Sequence, residues 1–297
     1  MCPAAVNTKA QVKGFVDIAA RCIATRLNSG APGANLTAQD AYAIMHLCPF
    51  DTVAKEAISP FCDLFSEEDF QVYEYAGDLE KFYNTGYAYE VSPLLTQLII
   101  FISHGSPLGP IQGVGYINEL IGRLKNSPAQ QSPQTNNTLL ASSETFPLDR
   151  TMYIDFSHDN LIIAVFSAMG LFNQTGGPLD TTKIAKDRTW ITSKMVPFSG
   201  HMTVERLSCP SRSSLDTSRS MWRVARRGGD GKKRDEDEDE GKKGEYVRIF
   251  VNDARQPLHF CGASGDGMCK LEEFLRSQEY AMNNGFGDFA ECRYTGR

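Results

Sequence analysis

The order of apolar and polar residues divides the sequence into a helical first part and a second part in which strands appear. Across residues 7–27, Val12, Phe15, Ile18, Ala19 and Ile23 recur near one helical face, which predicts an amphipathic helix ended by Asn28-Ser29-Gly30. Thr37 predicts the N-cap of a second helix through Ala41, Ile44, Met45 and Leu47. Ser66-Glu67-Glu68-Asp69 predicts a third N-terminus, ahead of Phe70, Val72, Tyr73 and Tyr75. Over residues 110–124 the inward set is Ile111, Val114, Ile117, Leu120 and Ile121. All of these stripes read as core packing.

Residues 127–143, rich in Pro, Ser, Asn and Gln, predict an exposed loop. Beyond it, residues 151–156 predict a short strand and residues 161–172 a bulky apolar helix. Residues 246–251 alternate like a strand that Asn252-Asp253 turns back towards Gln256-Pro257-Leu258, and residues 270–280 predict a last helix. The expected class is α/β with a helical companion: a mainly helical domain at residues 1–145 and an α/β domain at 146–297. Two stretches fit neither. Residues 91–103 are apolar without helical period, and shorter than the roughly 20 residues a membrane span needs. Residues 226–245 carry Lys232-Lys233-Arg234 and an acidic run from Asp235 to Glu240, a charge block expected to be disordered, with a nuclear signal as the alternative.

Composition narrows the classes. The 297 residues hold 30 basic and 36 acidic side chains, a net charge of −6, with 41% hydrophobic and 22% charged residues. That excludes collagen-like, fully disordered and membrane-spanning proteins and fits about two domains, or one large one. Mild acidity argues against a nucleic-acid partner, which needs a basic face, but not against a small anionic substrate. Among the eight cysteines (Cys2, Cys22, Cys48, Cys62, Cys209, Cys261, Cys269 and Cys292) there is no Cys-x-x-Cys pair, and no His stands at finger spacing, so no metal site is expected. The short loops Cys48 to Cys62 and Cys261 to Cys269 look clipped by disulfides; free thiols in a cytosolic protein are the alternative. Three Asn-x-Thr sequons, at Asn35, Asn136 and Asn173, favour an oxidising, secretory history. Met1-Cys2-Pro3-Ala4 begins no visible signal peptide, so the true start is expected upstream.

The segment that carries chemistry is Tyr153-Ile154-Asp155-Phe156-Ser157-His158-Asp159-Asn160-Leu161. It predicts a strand ending at Phe156, a helix beginning near Asn160, and His158-Asp159 at the junction. A helix N-terminus there offers unpaired N–H groups to an anion. A cationic His adds a donor to a phosphate oxygen, and an Asp can protonate a leaving alkoxide. The helix N-terminus depresses that Asp, whereas a nearby dianionic phosphate raises it. The plain alternative is a Ser or Asp cap beside a surface His.

Phe156-Ser157-His158-Asp159-Asn160 resembles the His-Asp motif of the histidine acid phosphatases, specifically the fungal phytases. The resemblance extends to Ser59-Pro60-Phe61-Cys62-Asp63-Leu64-Phe65, to the block from Pro107 to Tyr116, to Phe146-Pro147-Leu148, to Met169-Gly170-Leu171-Phe172-Asn173 and to Pro257-Leu258-His259. It implies a histidine-phosphatase-like α/β sandwich with a smaller all-α domain. It implies a secreted monomer that uses no cofactor or metal and hydrolyses phosphate esters, phytate above all, through a phosphohistidine. By the same resemblance Asp159 is the proton donor, His158 contacts the phosphate, and Lys81 meets the phosphate-rich substrate, a solvated surface lysine being the alternative. Glu80 departs from the doubled lysine of some members, which makes phytate specificity less secure. The implied pairs are Cys48 with Cys62, Cys261 with Cys269 and Cys2 with Cys292, leaving Cys209 and Cys22 over.

The family's nucleophile lies in an Arg-His-Gly-x-Arg-x-Pro run that this sequence does not contain; Ser103-His104-Gly105-Ser106-Pro107 lacks both arginines. The expectation is therefore a C-terminal portion without the nucleophile segment and its central strand. Residues 91–103 and 211–244 are read as insertions or translated intron. Two alternatives stand: a catalytically dead remnant, and a general acid phosphatase not specific for phytate.

Overall fold

The computed structural model describes residues 9–87, 108–132, 135–173, 177–210, 243–263, 265 and 267–292. The expectations for Cys2 and its pairing, for residues 91–107 and for residues 211–242 lie outside them. The chain forms two compact units, Met1–His201 with Gln278–Arg297, and Met202–Ser277. In class the fold is mixed α/β, helices with a small antiparallel sheet.

In the first unit the expected opening helix is two, α1 (Lys9–Ala19) and α2 (Arg21–Gly30), which meet at Ala20. Its buried face is also rotated from the expected one: Phe15, Val16, Ala20, Ile23 and Ala24 are buried, whereas Ile18 is exposed. Packing against two neighbours, α3 and α4, draws in Val16 and Ala20 from the flank of the predicted stripe. Helices α3 (Ala38–Lys55) and α4 (Glu67–Asn84) start where their caps predict. Thr37 with Asp40 and Ser66 with Asp69 form reciprocal capping boxes that satisfy donors otherwise left open at a helix start.

The helix expected at residues 110–124 is a single turn, Leu108–Ile111, followed by α5 (Val114–Lys125). All five predicted inward side chains are nevertheless buried. The break falls at Gly113, where a Cβ would stand 2.4 Å from the Ala164 carbonyl of α6 (Asp159–Met169). Only glycine lets the two backbones meet there. The loop at residues 127–143 contains one helical turn, Asn137–Leu140.

Residues 151–156 are not a strand. They run without regular structure, and Met152, Ile154 and Phe156 are exposed, Phe156 at 97%. A strand needs a ladder partner, and among the described residues this segment has none.

A buried ion cluster fastens residues 180–192 to α4. Arg188 donates through Nε to Asp78 (2.6 Å) and through Nη2 to Glu74 (2.9 Å), and its guanidinium lies 5.0 Å from the Tyr75 ring centre. The other Asp78 oxygen accepts from the Thr192 amide at 2.6 Å, and Tyr75 donates its hydroxyl to the Asp180 carbonyl at 2.8 Å. Burial pushes the Asp78 carboxyl up against the downward pull of the Thr192 amide and Arg188.

In the second unit, β1 (Met202–Pro210) pairs antiparallel with β2 (Lys243–Val251) along its full length. Sequence patterning finds β2 and misses β1. Asn252 and Asp253, both at positive φ, turn the chain as expected, but the return strand is β3 (Ala254–Arg255), not residues 256–258. Gln256 still bonds back to Ile249, and then Pro257, which has no N–H, cannot extend the ladder. The short β4 (Cys269–Lys270) also pairs with β2, and leads into α7 (Leu271–Ser277). Disulfides join Cys48 to Cys62 and Cys261 to Cys269, while among the described residues Cys22 and Cys209 are free.

The Cys48–Cys62 bridge closes a separation of 14 residues. Chain-entropy arithmetic assigns a loop of that size about 3 kcal/mol. Replacing both cysteines by alanine is expected to lower the thermal midpoint accordingly. An unchanged midpoint in calorimetry would refute that contribution.

Candidate active site

The site is built from the last turn of α4 and the first turn of α6. Tyr75, Ala76, Asp78, Leu79 and Phe82 bury one face of α4, which leaves Lys81 at the edge of that face with a side chain 16% exposed. Helix α6 buries seven consecutive residues from Ile163 to Met169 and ends on Gly170 in the left-handed conformation. With that end fixed, its first turn is held at the surface. His158 occupies the N-cap position in extended conformation without a side-chain cap bond, and Asp159 is the first helical residue.

Lys81 reaches across to this N-terminus. Its Nζ donates to Asp159 Oδ2 and to Asn160 Oδ1, the latter at 2.7 Å. The Asp159 side chain is 50% exposed, and His158 Nδ1 lies 3.9 Å from its Oδ1. The hydrogen bond from Lys81 holds the Asp159 carboxyl below the ordinary value of 3.8, with help from the Asn160 amide and the charges of Lys81 and His158, against a partial desolvation that raises it. Because the folded value lies below the unfolded one, the pairing adds stability above pH 3.8, which is lost as pH falls through the lowered value.

The structure thus brings Lys81, His158 and Asp159 together. Sequence reasoning missed Asn160 as the second acceptor for Lys81, although it stands inside the His-Asp motif. Asn35, Asn136 and Asn173 are all exposed. Among the described residues no group of three or more His, Cys, Asp or Glu is placed to hold a metal ion, and no helix is long and apolar enough to cross a membrane.

The family model described as histidine phosphatase superfamily (branch 2) matches residues 2–252. The chain belongs to that superfamily. Among curated members it is similar to Phytase A of Aspergillus fumigatus (34% identical over 285 residues, covering 94% of this chain and 50% of the relative). It is similar also to Phytase A of Arthroderma benhamiae (36% over 276 residues; 91% and 51%) and of Neurospora crassa (33% over 305 residues; 91% and 53%). The chain spans about half the length of these histidine phosphatase relatives. Its fold is similar to the crystal structure of the phytase from D. castellii, with a TM-score of 0.62 at 17% identity, covering 97% of this chain and 48% of that one.

Proposed function

We propose that this chain supplies the proton-donor half of an acid phosphomonoesterase site whose preferred substrate is phytate. The observation that carries the reading is the meeting of Lys81 with Asp159 and Asn160 at the start of α6. In the proposed reaction a histidine supplied from beyond this sequence attacks phosphorus, and the P–O bond to the inositol oxygen breaks. Asp159 gives its proton to that oxygen. Water then attacks the phosphohistidine, and the Asp159 carboxylate takes up a water proton. The α6 N-terminus, Lys81 and His158 stabilise the charge on the phosphoryl oxygens.

An incoming phosphate dianion competes for Lys81 and repels the carboxylate. Both effects return the proton to Asp159 when substrate is present. The proposal extends to a secreted, glycosylated monomer, supported by the two disulfides and the three exposed sequons.

The test is turnover of phytate against p-nitrophenyl phosphate at mildly acidic pH by the protein that includes the segment supplying the attacking histidine, with calorimetry of phytate binding beside it. Faster turnover of phytate supports the reading, and equal or slower turnover selects the general acid phosphatase. Binding without turnover selects the catalytically dead remnant. Neither binding nor turnover overturns the reading altogether.

Lys81→Met adds a pH signature. Removing the lysine raises the free Asp159, so the acid stays protonated to higher pH. The alkaline limb of kcat/KM, which reports the free enzyme, is expected to move up in pH while KM for phytate rises. A limb that stays in place refutes the role given to Lys81.

A further inference from the structure

We propose that Arg123 is a positioning residue for the His158–Asp159 pair, bracing the extended segment that delivers it; this rests on the reading of that pair as a phosphatase site. The pair is reached through residues 151–157, and among the described residues no amide or carbonyl of that segment makes a backbone hydrogen bond. Among these residues, the contacts that hold it are made by side chains. Met152, Ile154 and Phe156 are exposed. Tyr153 and Asp155, which alternate with them, meet Arg123.

The guanidinium of Arg123 donates through Nη1 to Asp155 Oδ2 and through Nη2 to Asp155 Oδ1 (3.3 Å). The same plane lies 5.0 Å from the Tyr153 ring centre and 5.3 Å from that of Phe146, and Glu119, one turn back on α5, stands 3.9 Å away. Only a planar fork can grip a carboxylate at two points while stacking on aromatic rings. The Arg123 side chain is 15% exposed, so little water competes.

Its anchorage matters as much as its grip. Arg123 sits in the last turn of α5, which packs on α6, the helix that opens with Asp159. The close approach of Gly113 to Ala164 fixes that helix pair. Arg123 thereby ties the approach segment, three residues before His158, to α5, and through the packing of α5 on α6 to the helix whose first turn it enters. Without the brace, His158 and Asp159 lose their register with Lys81 on α4.

The test reads Asp159 directly, without substrate. Asp159 is titrated by carboxyl carbon NMR in the wild-type chain and in Arg123→Gln, Arg123→Lys and Asp155→Asn, with thermal melts beside each. The groups facing Asp159 are Lys81 and Asn160, together with His158. In the wild type the carboxyl is expected to titrate below 3.8. In Arg123→Gln and Asp155→Asn it is expected to rise to about the ordinary aspartate value, as the contact with Lys81 loosens, and lysine at 123 is expected not to restore it.

A folded Arg123→Gln chain that melts earlier but keeps the wild-type titration has lost packing only, and overturns the proposal. If that variant does not fold, Asp155→Asn, at an exposed position and of equal size, decides the same question. Inorganic phosphate serves as the second probe. No phosphate binding by the wild type, with the Asp159 shift still dependent on Arg123, counts against the phosphatase reading and for the brace. Phosphate binding with a titration indifferent to Arg123 does the reverse.

Discussion

Arg188→Met is expected to destabilise the helical unit by about 3–5 kcal/mol, because it removes one partner of a buried ion pair and leaves the other charged. The Asp78 side chain is 0% exposed and that of Arg188 8%, so neither can turn to water for solvation. Asp78 would keep Thr192 as a donor, while Glu74 would lose the guanidinium and keep Ser193. At roughly 2–4 °C per kcal/mol for a unit of this size, the midpoint should drop by about 10 °C. The matched variant Asp78→Asn with Arg188→Met separates the two causes. It removes both charges, and should recover much of the loss if the penalty is the orphaned carboxylate. A double variant as unstable as the single one would show that packing on Tyr75 is what matters.

Asp159→Asn is expected to lower turnover of an alkyl phosphate ester about 10²–10⁴-fold, the usual weight of a positioned general acid. The change is nearly isosteric and keeps an acceptor for Lys81, so the chain should melt as before. The leaving group supplies the sharper comparison. The oxygen of p-nitrophenol is a good leaving group and needs little protonation, whereas an inositol alkoxide needs a proton almost completely. The deficit should therefore be much larger on phytate than on p-nitrophenyl phosphate. Equal deficits on both esters would mean that Asp159 holds the site together and donates no proton in the slow step.

What can be read from the sequence is local. Ser66 with Asp69 and Thr37 with Asp40 announce helix starts because their hydrogen bonds close within one turn. Ile111, Val114, Ile117, Leu120 and Ile121 are legible as core because they keep helical spacing on one face, and the break at Gly113 leaves all five buried. The opening helices depart from this pattern: α1 packs on both α3 and α4, and Val16 and Ala20 are buried beside the stripe that periodicity marks. Residues 151–156 have the composition of a strand, yet composition does not supply a ladder partner. At the site, the His158-Asp159 motif is visible at once, while its contact with Lys81 spans 78 positions and depends on how α4 and α6 pack. Arg123 and Arg188 carry no mark that separates them from solvated arginines; only the tertiary arrangement gives them carboxylates to hold.

The bare row of Met152, Ile154 and Phe156 bears on how the protein behaves in solution. Tyr153 lies against Arg123, and the one charge in the segment, Asp155, is paired with the same guanidinium, so the row offers no unpaired charge of its own to repel another copy. Repulsion between copies then depends on the net charge of −6. That charge vanishes near the isoelectric point of about 5.5, within the mildly acidic range that suits a carboxylic-acid donor. The conditions that favour the chemistry are thus those in which the chain is least protected from its own kind, and salt, which screens what charge remains, narrows the margin further.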